Sequence, residues 1–292
     1  MNKTLQALKY IAFDFIAAAI AWALFFRFRK LYLEPSKFGY DVPLVFDESF
    51  VYGLLFIPTA WVLLYAATGF YKTPYRKSRL IELTQTLTVS ILGCTLLFFV
   101  FILDDEINTY KDYYLSYLYI LVFHFVITYL FRFLLTSRTV YRIQNREIGF
   151  NTIMIGSNEK AVNLFLEMEG EKKSFGNKFK GFARVNKKDE YLLKDHLTFL
   201  GNSTELKKII QENEIEEAII AIESSEHKSL ENIIGELEGL NVIIKVIPDM
   251  YDILSGSVKM SSIFGAPLIV INREIMPAWQ QTIKRGMDIC AS

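Results

Sequence analysis

The chain has 292 residues, room for two domains of ordinary size. It is 52% hydrophobic and 15% aromatic with 22% charge, and its mean hydropathy is +0.24. That combination excludes intrinsic disorder and collagen-like repeats and puts part of the chain in lipid. Basic and acidic residues both number 32, but residues 1–146 carry 15 basic against 10 acidic groups and residues 147–292 carry 17 against 22; neither half is basic enough to name nucleic acid as a partner.

Crossing the ~30 Å hydrocarbon core takes about 20 mostly apolar residues in a helix. Four segments reach that length, approximately 8–27, 50–70, 83–103 and 113–135. Tyr10, Trp22, Tyr71, Tyr113 and Tyr114 cluster near their ends, as expected of side chains wet at one end and apolar at the other. The first stretch carries Asp14 and is followed by Arg27, Phe28, Arg29 and Lys30 in place of a small-residue cleavage site, so it reads as a retained anchor. Ten basic residues, Arg132 among them, fall to the side holding the N-terminus, the second connection and the exit of the fourth helix, against five on the other. The N- and C-termini are therefore expected in the cytoplasm.

After Arg146 the pattern becomes a soluble α/β alternation. Strands are expected over 151–156, 178–186, 216–222 and 242–247, helices over 158–169 and 228–239, and a further helix capped by Ser203 and running through Asn213. Strands alternating with helices of this length predict a doubly wound, Rossmann-like parallel sheet. Residues 258–271 read as short strands around Gly265-Ala-Pro267, and Pro277 opens a mixed polar and apolar helical pattern, which points to an amphipathic surface helix or to the front part of a longer protein.

The chemistry-bearing residues are few. Asp14 lies about five residues inside the first span, roughly 7–8 Å deep, where a charge costs a few kcal/mol unless paired. His124 is the other titratable group at depth. A direct pair between them and ordinary helix-to-helix hydrogen bonding are both open, whereas proton relay or transport would want more such groups than these spans hold. Gly156-Ser157-Asn158 closes the first strand before a helix, where a Rossmann domain cradles phosphate. Glycines would be wanted at 156, 158 and 161; the chain has Gly156, Asn158 and Ala161, with Asn186 where an acid would end the second strand. Both readings of this edge, nucleotide binding and a packing or dimerising role, stand. His196 and His227 sit in polar stretches as solvated surface groups. Cys94 and Cys290 make no disulfide framework and no zinc spacing, and no metal or catalytic site is read from the chain.

The order of four spans, Ile153-Met-Ile-Gly156, Gly181-Phe182, Leu200-Gly201, Glu217-Ala-Ile-Ile-Ala221, Val246-Ile-Pro248-Asp249-Met-Tyr251, Gly265-Ala-Pro267-Leu268 and Lys284-Arg285-Gly-Met-Asp288 resembles the polyprenyl-phosphate sugar-1-phosphate transferases that start bacterial exopolysaccharide and O-antigen synthesis. The resemblance covers essentially the whole chain. It implies three parts: a four-helix transmembrane domain over 1–146, a Rossmann-like, CoA-binding-like cytoplasmic domain over 147–255 that forms a homodimer, and a linking segment over 256–292. In that family the element matched by Lys284, Arg285 and Asp288 marks the start of the catalytic domain, with its magnesium ion and acid pair. The expectation is thus an anchoring and regulatory portion, cut short before catalysis, inactive alone and holding no cofactor. The complete enzyme would transfer a sugar phosphate from a UDP-sugar to undecaprenyl phosphate, releasing UMP. The alternatives are a membrane-tethered nucleotide-sensing or assembly module, and the front part of a membrane-bound sugar-nucleotide dehydratase. Ala183-Arg-Val-Asn186 departs from the more acidic run of the transferase family.

Overall fold

A computed structural model describes residues 2–35, 39–40, 43–102, 110–185, 191–222, 227–247, 268–271, Gln280, Gln281, Lys284 and Asp288. The chain divides into two units, one holding Asn2–Val140 with Met276–Ser292 and the other Tyr141–Ile275.

The first unit is built on helices α1 (Lys3–Phe28), α2 (Glu48–Ala67), α3 (Arg79–Leu97) and α4 (Tyr110–Gln144). π-helical turns extend α1 over Arg29–Leu33 and α3 over Phe98–Ile102. Among the described residues these are four helices long and apolar enough to cross a membrane. The starts of α1, α2 and α3 are capped: Asn2 accepts from the Leu5 amide at 2.9 Å, Asp47 from Phe50 at 3.0 Å and Ser78 from Ile81 at 3.1 Å. The Phe50 amide, with Lys30 nearby, holds the Asp47 carboxyl below its ordinary pKa.

The unit buries polar stripes beside an apolar cluster that includes Phe25, Trp61 and Tyr65, and it exposes many large apolar side chains, unlike a water-soluble bundle. Leu63, Leu87, Val126, Leu130 and Leu134 are exposed. Buried positions on α4 fall every fourth residue, at Ser116, Ile120, His124, Thr128, Arg132, Thr136 and Val140. The same spacing recurs at Glu82, Thr86, Ser90 and Cys94 on α3 and at Gln6, Tyr10, Asp14 and Ala18 on α1. Four residues advance a helix by little more than one turn, so each series forms one stripe. Two glycines make room for indole rings: a Cβ at Gly53 would stand 2.3 Å from the Trp22 ring, and one at Gly93 2.3 Å from the Trp61 ring.

Among the described residues the second unit is a six-stranded sheet of β1 (Phe150–Ile155), β2 (Asn177–Arg184), β3 (Phe199–Asn202), β4 (Glu217–Ile220), β5 (Ile243–Val246) and β6 (Ile269–Ile271), in the order β3-β2-β1-β4-β5-β6. All neighbours pair in parallel except β5 and β6, which run antiparallel with Ile244 opposite Ile271. Successive side chains of a strand point to opposite faces. Ile153, Ile155, Ala218 and Ile220 accordingly pack against α6 (Leu206–Glu212) and α7 (His227–Glu236), through Ile209, Ile210 and Ile233. Met154 and Ile219 pack on the other face against Leu164 and Met168 of α5 (Glu159–Gly170). Such runs, apolar on both faces, are what a covered parallel sheet requires.

The structure differs from the sequence expectation at four places. The 203–213 helix is capped by Asn202, not Ser203: the side chains of Asn202 and Glu205 exchange a capping box around a short 3-10 turn. The strand β3 was not foreseen, and β6 makes the sheet mixed where an all-parallel one was expected. The second strand stops at Arg184, two residues early, so the ribose argument at Asn186 falls outside the described residues. Of the expected terminal helix, only Gln280, Gln281, Lys284 and Asp288 are described, all helical.

Candidate functional site

Asp14 and Arg132 meet inside the helix unit. The Arg132 side chain is wholly buried and Asp14 is 1% exposed. Nε donates to Asp14 Oδ1 at 2.7 Å and Nη2 to Oδ2 at 2.7 Å, while Nη1 donates to Thr86 Oγ1 at 2.9 Å. Such a fork is the strongest form of the guanidinium–carboxylate pair. The Tyr71 hydroxyl donates to the same carboxylate at 2.8 Å; burial and the Asp14 charge together push the Tyr71 pKa up. The guanidinium also lies over two rings, 3.6 Å from the Phe70 centroid and 3.9 Å from that of Tyr65.

His124 does not pair with Asp14. Its Nε2 lies 3.0 Å from the Tyr65 hydroxyl, and its ring stacks on Trp61 at 3.6 Å between centroids. The two residues singled out from the sequence therefore connect indirectly, through Arg132 and the Tyr65 ring.

A second buried pair lies beside the first. Glu82 is fully buried, accepts from Thr136 Oγ1, and stands 3.9 Å from Lys77 Nζ. The Tyr10 hydroxyl shares a 2.7 Å hydrogen bond with Thr136, and Gln6 donates to Thr139 at 3.1 Å. Lys77 Nζ and Glu82 Oε1 are buried without a hydrogen bond among the described residues. The Lys77 ammonium sits 3.0 Å from the Phe70 ring centroid, and burial pulls its pKa down to about 7, opposed by Glu82. Two carboxylates and two cations thus balance in formal charge.

Glu82 is absent from the sequence reading, and Arg132, Lys77 and Tyr71 enter it only as orientation-setting cations and an interfacial aromatic, not as site residues. Arg132 was counted with the exposed basic residues that set orientation; its burial removes it from that count. Glu82 fell one residue short of the expected third span, and α3 begins at Arg79. The shortage of titratable groups inferred for the spans is corrected accordingly. The signal available was the four-residue spacing of polar residues on the fourth helix.

At the C-terminal edge of the sheet, the order reverses between β1 and β4, the place where doubly wound folds take ligands. Gly156 has φ 120°, and a Cβ there would lie 2.2 Å from the Ala221 carbonyl oxygen, so this glycine is required by the approach of the chain after β4. Ser157 is buried, and Asn158 caps α5 by accepting from the Ala161 amide at 3.0 Å. Arg184, ending β2, stacks on Tyr191 at 4.6 Å. At the opposite edge, buried Glu217 accepts from Lys245 at 2.6 Å and Asn177 at 2.8 Å. His196 is exposed, as are Lys284 and Asp288; Arg285 lies outside the described residues. Among the described residues no group of three His, Cys, Asp or Glu side chains could hold a metal ion.

A family model described as a CoA-binding domain matches residues 66–248. A solved structure of UDP-D-quinovosamine 4-dehydrogenase from Vibrio fischeri is similar over 43% of this chain and 96% of its own, at 17% identity and a TM-score of 0.34. No curated protein matches the chain.

Proposed function

Because the chain belongs to the CoA-binding domain family, we propose that it is the membrane-anchoring and regulatory part of a phosphoglycosyl transferase. That enzyme moves a sugar-1-phosphate from a UDP-sugar to undecaprenyl phosphate. The observation that carries the reading is the extent of the match: residues 66–248 begin at the end of α2, take in α3 and α4, and run through β5. Membrane-capable helices and sheet thus form one family unit. The resemblance of Lys284-Arg285-Gly-Met-Asp288 to the start of a sugar transferase domain supports the same assignment.

In this reading the four helices cross the bacterial inner membrane, both termini face the cytoplasm, and residues 147–255 form a cytoplasmic domain that pairs with a second copy. The buried Asp14–Arg132 clamp fixes the helices in one arrangement, since a fork with a dry carboxylate tolerates no sliding. In the transferases it resembles, sugar transfer and its magnesium ion belong to a transferase domain. Deleting the gene should deplete undecaprenyl-linked sugar and re-expression should restore it, while residues 1–292 alone, given UDP-sugar, magnesium and undecaprenyl phosphate, release no UMP above background. Lipid-linked sugar unchanged by the deletion contradicts the reading.

The family's description favours a second reading, in which the sheet domain senses CoA or a sugar nucleotide at the edge formed by Gly156, Ser157 and Asn158. Thermal shift of the protein with CoA, NAD and UDP-sugars tests it: one ligand-specific rise supports a sensor, and a flat series leaves dimerisation and packing.

A further inference from the structure

A cleft of about 630 Å³ opens between α2 and α3, within the ~300–1,000 Å³ range of small-molecule sites. Its floor is apolar, with Leu64, Val89 and Leu92, and one end carries Arg76 and Lys77 from the connection between the helices. Among the described residues no acidic side chain lines it. Along α3 it runs from Ile81 to Leu92, about 17 Å at 1.5 Å per residue.

Two features of the wall point to an occupant. The Lys77 side chain is 6% exposed and its ammonium has no hydrogen bond among the described residues, though it lines the cleft. Gln85 is exposed on α3 with its amide unbonded among the described residues. It sits six residues past Arg79, about 9 Å along the helix, on a face that would otherwise meet hydrocarbon. An exposed amide is not at ease against plain acyl chains.

We propose that this cleft binds one anionic lipid, its phosphate against Arg76 at the basic end and its aliphatic chain along Val89 and Leu92. Arg76 offers a phosphate charge-assisted bonds at the polar end of the cleft, where water is scarce, while the Lys77 ammonium behind it is paired with Glu82 at 3.9 Å. The inference requires only that the helices sit in a bilayer and holds whether or not the chain serves a transferase.

The test is native mass spectrometry of the whole chain with phosphatidylglycerol, undecaprenyl phosphate or phosphatidylcholine. One retained copy of phosphatidylglycerol, undecaprenyl phosphate or both is expected, preferred over phosphatidylcholine by about tenfold, or ~1.4 kcal/mol. Preference for undecaprenyl phosphate identifies a substrate lipid, preference for phosphatidylglycerol a bulk lipid, and either supports the site. Arg76→Gln with Gln85→Leu should abolish the preference. Thr88→Trp, which fills the cleft away from the buried ion pair, should displace the lipid with little change in melting temperature. Equal retention of phosphatidylcholine, undiminished retention by both variants, or inorganic phosphate binding as tightly as the lipid overturns the proposal. So does a Thr88→Cys protein that cross-links to a second copy while carrying no lipid.

Discussion

Arg132 holds Asp14 through two hydrogen bonds of 2.7 Å, joining α4 to α1 across 118 residues of sequence in an interior from which both side chains are shut off from solvent. Breaking a buried pair on one side leaves a lone charge and costs roughly 3–5 kcal/mol, whereas replacing both partners with apolar groups is often close to neutral. Arg132→Met and Asp14→Leu should each lower the melting temperature sharply in detergent, and the double variant should recover most of the loss. Additive losses in that double-mutant cycle contradict a direct pair.

Gly93 makes room for Trp61, which in turn stacks on His124. Gly93→Leu should push the indole off the imidazole and cost about 1–3 kcal/mol through overpacking. A shift in tryptophan emission accompanied by a lower melting temperature is the expected reading. An unchanged spectrum would mean that the glycine is incidental.

Lys77 binds its proton more weakly in the folded protein, at about 7, than the about 10.4 of an unfolded chain. Between those values the unfolded state holds more protons, so stability rises with pH across that window and the benefit is absent below it. Melting temperature should climb from pH 7 to 9, and Lys77→Met should flatten the slope. Identical slopes in the two proteins would place the titrating group elsewhere.

In the sheet unit, Gly156→Ala would set a Cβ 2.2 Å from the Ala221 carbonyl oxygen at a φ of 120°. Strain of this kind is of order 1–3 kcal/mol before the clash is added. Hydrogen exchange should show faster opening of β1 and β4 while the helix unit keeps its protection. Unaltered exchange in β1 would exclude the close approach.

The four long helices were legible because apolar length is a strong signal, and the β1–α5 and β4 segments because buried parallel strands read as apolar runs. The interior of the helix unit was less legible. Composition cannot tell an arginine that snorkels to the surface from one that turns inward, so Arg132 was read with the surface charge. A boundary error of four residues hid Glu82. The regular spacing of Ser116, His124, Thr128, Arg132 and Thr136 was present all along, but it becomes informative only once the helix is known to be polar on its buried face. The strand β3 has only four residues, Phe199–Asn202, too few for alternation to emerge. Gly156 was weighed for a ligand's phosphate; the close neighbour that requires it is a carbonyl 65 residues further along the chain.

Protease accessibility tests the central claim most directly, that four helices fix this chain in the inner membrane with its sheet domain on the cytoplasmic side. In intact spheroplasts residues 147–292 should survive added protease, and in inverted vesicles they should be digested while the helices remain with the lipid. Digestion from the outer face, or release of the intact protein by alkaline carbonate, would contradict it.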